Sequence, residues 1–190
     1  MSMLLVGLVL FLGAHSVSIV APAWRDTMAA RMGAGGWKAL YSAVSLAGFA
    51  LLLKGYALAR LEPTLVWVPP AGLRHLAALL MLPVFPLLFA AYLPGRIRTA
   101  AKHPMLAAVK FWALAHLLAN GMLADIVLFG SLLAWAVLDR ISLKRRAPRA
   151  TPVAPATPFN DILAVVLGLA VYAVFVMGAH RMLFGVAPFG

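Results

Sequence analysis

The chain contains no cysteine. That excludes disulfides, covalent attachment of a c-type haem, cysteine-ligated iron–sulfur clusters and thiolate nucleophiles. Acidic residues are scarce too, five Asp and Glu in 190 residues, and most fall near the ends of apolar runs. A carboxylate-driven hydrolase or a proton-pumping relay therefore has little to work with. No phosphate-binding loop, serine nucleophile elbow or zinc-protease histidine pair occurs. Charged residues of either sign make up 11% of the chain, less than half the ~25% usual in soluble domains. A redox centre in this protein is left with histidine, methionine, carboxylate or oxygen ligands.

What fills the chain is apolar. Hydrophobic residues account for 64% of it and the mean hydropathy is +0.98, which moves the reading from water into lipid. The expected fold class is all-α, a polytopic integral membrane helical bundle of about six transmembrane helices at ~20 residues each. These fill a single membrane domain over residues 1–190 and leave little chain for a soluble catalytic domain.

Helix one is expected at Ser2–Val20, ended by Pro22. Ala21, Pro22 and Ala23 mimic a signal-cleavage pattern, but the positive n-region is missing and more spans follow, so the segment is expected to stay attached. Residues 21–36 are polar enough to leave the bilayer, with Trp24 and Trp37 as interfacial anchors. Helix two follows at 37–57, then a loop containing the Pro69-Pro70 pair. Helix three, at 73–92, should kink at Pro83 and Pro86, each of which removes a backbone donor.

A short basic turn leads to helix four at 104–119, with Pro104 in its first turn. Asn120-Gly121 makes a tight turn into helix five at 122–138, so these two helices are expected to be antiparallel neighbours. A basic, Pro/Ala-rich cytoplasmic linker near 140–158 reads as extended or disordered, and helix six occupies 159–184. The chain shows no internal repeat with paired broken helices of the kind transporters use.

The net charge of +11 does not point to nucleic acid, because the basic residues punctuate apolar runs instead of covering one face. They read as topology signals and as contacts for anionic membrane lipids. Eleven basic residues, from Arg25 through Arg98 to Arg149, fall in the loops after helices one, three and five. Only Lys54, Arg60, Arg74 and Arg181 lie near the opposite side. The positive-inside rule then places the protein in a bacterial inner membrane with both termini periplasmic.

The histidines carry the chemical interest. His15 sits in an otherwise apolar helix, where an imidazole facing hydrocarbon would lose its hydrogen bonds. His116 and Asn120 share a face of helix four, and Trp112, one turn earlier, extends the stripe into a planar wall beside a nitrogen ligand. The competing reading of that stripe is an interhelical hydrogen bond with aromatic packing. His103 lies thirteen residues before His116, too far along the helix to bind the same metal, and reads as an interfacial cap. His75, His180 and Asp125 lie near the predicted external helix ends and could join His116 in a small polar pocket, though interfacial solvation accounts for each equally well. Separated intramembrane histidines in an apolar slot match what a non-covalent haem b requires.

The LVLFLGAHS stretch around His15, the block AYLPGRIRTAAKHPMLAAVKFWALAHLLANG and the block LLAWAVLDRISLKRR together resemble the NnrU family, named for association with nitrite and nitric oxide reductase genes. The His15-Ser16 pair and the pattern joining His103 to His116 also resemble 15-cis-zeta-carotene isomerase, a membrane haem b enzyme. The resemblance implies haem b as cofactor, His15 and His116 as candidate haem-iron ligands, and His103, Trp112 and Asn120 in support. It implies an accessory inner-membrane protein of denitrification, with a reductase assembly partner. The alternative it implies is a haem-dependent cis-trans isomerase acting on a hydrophobic polyene.

Overall fold

The computed structural model describes residues 1–146 and 151–188. Regular structure among them is helical apart from one isolated antiparallel bridge between Leu65 and Met122. The helices are α1 (Ser2–Val20), α2 (Pro22–Ala59), α3 (Gly72–Met81), α4 (Val84–Ala90), α5 (Arg96–Ala101), α6 (Pro104–Ala119), α7 (Leu123–Ser142), α8 (Asn160–Val174) and α9 (His180–Phe184), with a π-helical turn at Phe175–Ala179 joining the last two.

Four helical runs among the described residues are long and apolar enough to cross a membrane: Ser2–Val20, Pro22–Ala59, Gly72–Ala90 and Asn160–Phe184. Of the six expected, the fourth and fifth, α6 and α7, fall outside this set. The 16-residue α6 is about 24 Å long at ~1.5 Å per residue, short of a ~30 Å hydrocarbon core. The 20-residue α7 carries Asp125, Asp139 and Arg140, which raise the cost of placing it in lipid. The protein is an all-α, multi-pass membrane protein, and large apolar side chains such as Val9 and Met177 stand on its outer surface, as lipid contact requires.

The polar segment expected outside the bilayer is helical from Pro22 onward. Pro22 begins α2, and the break falls at Gly33, whose φ of 72° and ψ of 160° lie outside the helical region. Across the break, Trp24 meets Trp37 edge-on at 6.2 Å and the Arg25 guanidinium lies 5.4 Å from the Trp37 ring centre, an amphipathic cluster suited to the headgroup layer.

The chain forms two compact units. Met1–Trp67 with Met122–Lys144 makes the first, in which α1 packs on α2 and α7. Glycine sets the α1–α2 contact: a Cβ on Gly48 would stand 2.6 Å from the Phe11 backbone nitrogen, and one on Gly7 or Gly55 would enter the backbone of Leu52 or Leu4. Close backbone approach through small residues is how helices gain dispersion energy in lipid, where burial of apolar surface drives nothing. Tyr56 on α2 donates to the buried Asp125 of α7 at 2.5 Å, and the loop before α3 is tied to α7 by Leu123 N–H donating to the Thr64 carbonyl at 2.8 Å.

Val68–Gly121 with Arg145–Gly190 makes the second unit, in which α6 packs on α3 and α4, and α4 on α8. The helices joined at Asn120-Gly121 thus find their packing partners in different units. Pro83 interrupts helix three as expected: α3 stops at Met81 and α4 starts at Val84. Leu82 N–H turns to the Leu79 carbonyl instead of the Ala78 carbonyl one residue earlier, and Ala78 accepts the Tyr172 hydroxyl from α8 at 3.2 Å. Across the same contact, Gly168 on α8 lets the Pro86 backbone approach where a Cβ would collide.

The linker is ordered over the part that is described. Ala154 N–H donates to the Tyr92 carbonyl at 2.9 Å, Asn160 Nδ2 donates to the carbonyls of Pro94 and Pro155, and the Asp161 carboxylate accepts the backbone N–H groups of Arg96 and Ile97. Residues 151–157 form no regular element, in keeping with the extended alternative, and residues 147–150 lie outside the described residues.

Candidate histidine centres

His15 lies late in α1, where its Nδ1 is 2.7 Å from the Phe11 carbonyl. A carbonyl can only accept, so the proton resides on Nδ1 and the lone pair on Nε2. Three aromatic rings surround the imidazole: Phe11 at 4.3 Å, Tyr41 of α2 at 5.2 Å and Trp135 of α7 edge-on at 5.7 Å between ring centres. The Trp135 indole N–H is buried and makes no hydrogen bond.

In the second unit His116 repeats the arrangement one turn from the end of α6. Its Nδ1 is 2.8 Å from the Trp112 carbonyl, and the Trp112 ring stands 5.1 Å away, inclined by 49°. Asn120 serves a different purpose from the one its helical spacing suggests. As C-cap of α6 it turns Nδ2 back to the His116 carbonyl at 2.9 Å, satisfying an end-of-helix acceptor. His103 stands at the N-cap position of the same helix and makes no side-chain cap bond there.

His15 and His116 belong to different units. The histidine that does approach His116 is His180, with ring centres 6.5 Å apart and planes inclined by 30°. His180 Nδ1 is 2.6 Å from the Val186 carbonyl, and Phe184 packs 5.0 Å from its ring. That both lie near helix ends was legible in the sequence; that their rings meet was not. His75 is exposed on α3.

No group of three or more His, Asp or Glu side chains able to hold a metal ion occurs among the described residues. A structural zinc ion, by comparison, takes four protein ligands. Haem fits the donor set better, because the porphyrin supplies four ligands and asks the protein for one or two imidazoles. The carbonyl-anchored rings of His15, His116 and His180 present the tautomer an Nε2 ligand needs.

A family model described as NnrU protein matches residues 3–188. The chain belongs to the NnrU family. With its apolar membrane-crossing helices, this makes it an inner-membrane accessory protein linked to denitrification and nitric oxide metabolism. Comparison with curated proteins and with solved structures gives no match.

Proposed function

We propose that this NnrU protein performs its accessory role by holding haem b within the bilayer, with His116 as an iron ligand, in support of nitrite or nitric oxide reductase maturation. The observation that carries the reading is the His116 imidazole held through Nδ1 by the Trp112 carbonyl beside the Trp112 ring, in a protein whose cysteine-free sequence offers no thiolate ligand. His15, in the first unit, has its Nδ1 anchored in the same way. When bound, haem would supply a one-electron centre. The Trp112 carbonyl would hold the His116 imidazole in the Nδ1–H tautomer that leaves Nε2 for the iron.

The first measurement is the absorption spectrum, oxidised and dithionite-reduced, of the full chain purified in mild detergent beside His116→Ala. A b-type Soret and α-band pattern, lost or shifted in the variant, is expected. Protein purified from haem-sufficient cells that takes up no haem even on reconstitution overturns the reading. In cells, deletion should lower the haem content of the reductase.

We further infer that α6 and α7 also cross the bilayer, the short α6 by local thinning of the bilayer, which makes six crossings and leaves both termini in the periplasm in keeping with the basic loops.

A further inference from the structure

We propose that the second unit holds one anionic phospholipid at a fixed site, with an acyl chain against α4 and α8 and the phosphate at Arg96. Two surface hollows carry the inference. One is apolar, about 240 Å³, and lined by Phe85, Leu88, Phe89, Tyr92 and Val171. The other, an open crevice of about 740 Å³, lies between the start of α5, which contributes Arg96 and Thr99, and the linker residues Ala156, Thr157 and Pro158. The antiparallel packing of α4 on α8 orders both along one helix pair. Phe85 meets Phe175 at 5.3 Å, the Pro86 backbone lies against Gly168, and the Pro94 carbonyl accepts Asn160 Nδ2 at 2.8 Å. The apolar hollow flanks the membrane-crossing runs Gly72–Ala90 and Asn160–Phe184. The crevice lies just past Ala90 and just before Asn160, where those runs leave the hydrocarbon. An apolar slot leading to a basic crevice at that level has the polarity of a phospholipid, hydrocarbon first and phosphate beyond.

Charge selects the sign of the headgroup. Arg96 and Arg98 belong to α5 and Lys102 is its C-cap. The Asp161 carboxylate stands here too, but it accepts the backbone N–H groups of Arg96 and Ile97 at 2.8 and 3.0 Å. Asp161 thereby fills the α5 N-terminus, so an anion must be met by side chains. Of those lining the crevice, Thr99 donates to the Gly95 carbonyl at 3.0 Å and Thr157 to Asn160 Oδ1 at 2.7 Å. Arg96 is the lining cation, and its guanidinium fork suits two phosphate oxygens at once. Arg98, which gives one Nη to Thr151 at 3.2 Å, and the exposed Lys102 add attraction at longer range. The basic side chains favour a headgroup of net negative charge over a zwitterionic one. The apolar hollow is what favours a lipid over a free phosphate ion.

The test titrates the full chain in mild detergent with phosphatidylglycerol or phosphatidylcholine and counts retained lipid by native mass spectrometry. Wild type is compared with Arg96→Gln, Leu88→Trp and Lys54→Gln. Wild type is expected to retain one phosphatidylglycerol in preference to phosphatidylcholine, and millimolar inorganic phosphate should not displace it. Arg96→Gln should weaken phosphatidylglycerol binding about fivefold and leave phosphatidylcholine unchanged. Leu88→Trp, which fills the apolar hollow, should weaken both lipids. Lys54→Gln removes an exposed charge of the first unit and should change neither. Equal losses in Arg96→Gln and Lys54→Gln overturn the site in favour of diffuse attraction. Displacement by inorganic phosphate overturns the lipid assignment in favour of an ion site. Equal retention of the two lipids by wild type overturns it too and leaves the basic crevice to an acidic protein segment. Arg96 is exposed, so its variant should keep the wild-type helical circular dichroism. If Leu88→Trp fails to fold, the Arg96 comparison decides.

Discussion

Asp125 is 3% exposed, and a carboxylate that deep in a membrane protein persists only where its oxygens are satisfied. One oxygen takes the Tyr56 hydroxyl at 2.5 Å and the other the Met122 backbone N–H at 3.2 Å, so the residue both closes the start of α7 and ties α7 to α2. Tyr56→Phe removes one bond and leaves the other, and should cost about 1 kcal/mol, within the range of side-chain hydrogen bonds between membrane helices. Asp125→Ala strands both donors and should cost about 2–3 kcal/mol. Unfolding in mixed detergent, read by tryptophan fluorescence, measures both, and the double variant should fall short of the sum because the two share a bond. An additive result would mean the Tyr56 bond contributes nothing. Neither partner was paired in advance: an acid near a helix start is readable as a cap, but its partner 69 positions earlier follows only from packing.

At the scale of helices, α1 and α2 meet through glycine and not through interlocked large side chains. Gly55→Val places atoms inside the Leu4 backbone and should force the helices apart, with a loss of about 1–3 kcal/mol from overpacking. Gly13→Ala on α1 meets nothing within 4 Å and should be neutral or slightly stabilising through helix propensity. Equal losses in the two, by the same unfolding measurement, would remove the close-packing account. The limits of α1 and α6 were legible because Pro22 and Pro104 stand where helices end or start. Pro83 likewise announced the break in helix three. Gly33 and the π turn before His180 were not legible, since a glycine in an apolar run serves as often for packing as for a break.

For the molecule in its membrane, the basic loops make a prediction that any count of crossings must satisfy. Reporters fused after Gly190 should behave as periplasmic, an alkaline phosphatase active and a cytoplasmic fluorescent protein dark, and fusions within 140–146 should show the reverse. A bright fluorescent protein at the C-terminus would invert the topology and place His116 and His180 at the inner face.

Helical class, membrane residence, the proline-marked ends and the pool of histidines were determined by the sequence alone, because apolar content, proline geometry and residue chemistry are local properties. Which histidine meets which was decided only by tertiary structure. His15 is enclosed by aromatic rings from α2 and α7, and His116 meets His180 because a helix irregularity and the packing of the second unit set the rotation of each ring. Rotation about a helix axis accumulates over every residue, so one inserted in a π turn redirects a side chain that sequence spacing had aimed elsewhere.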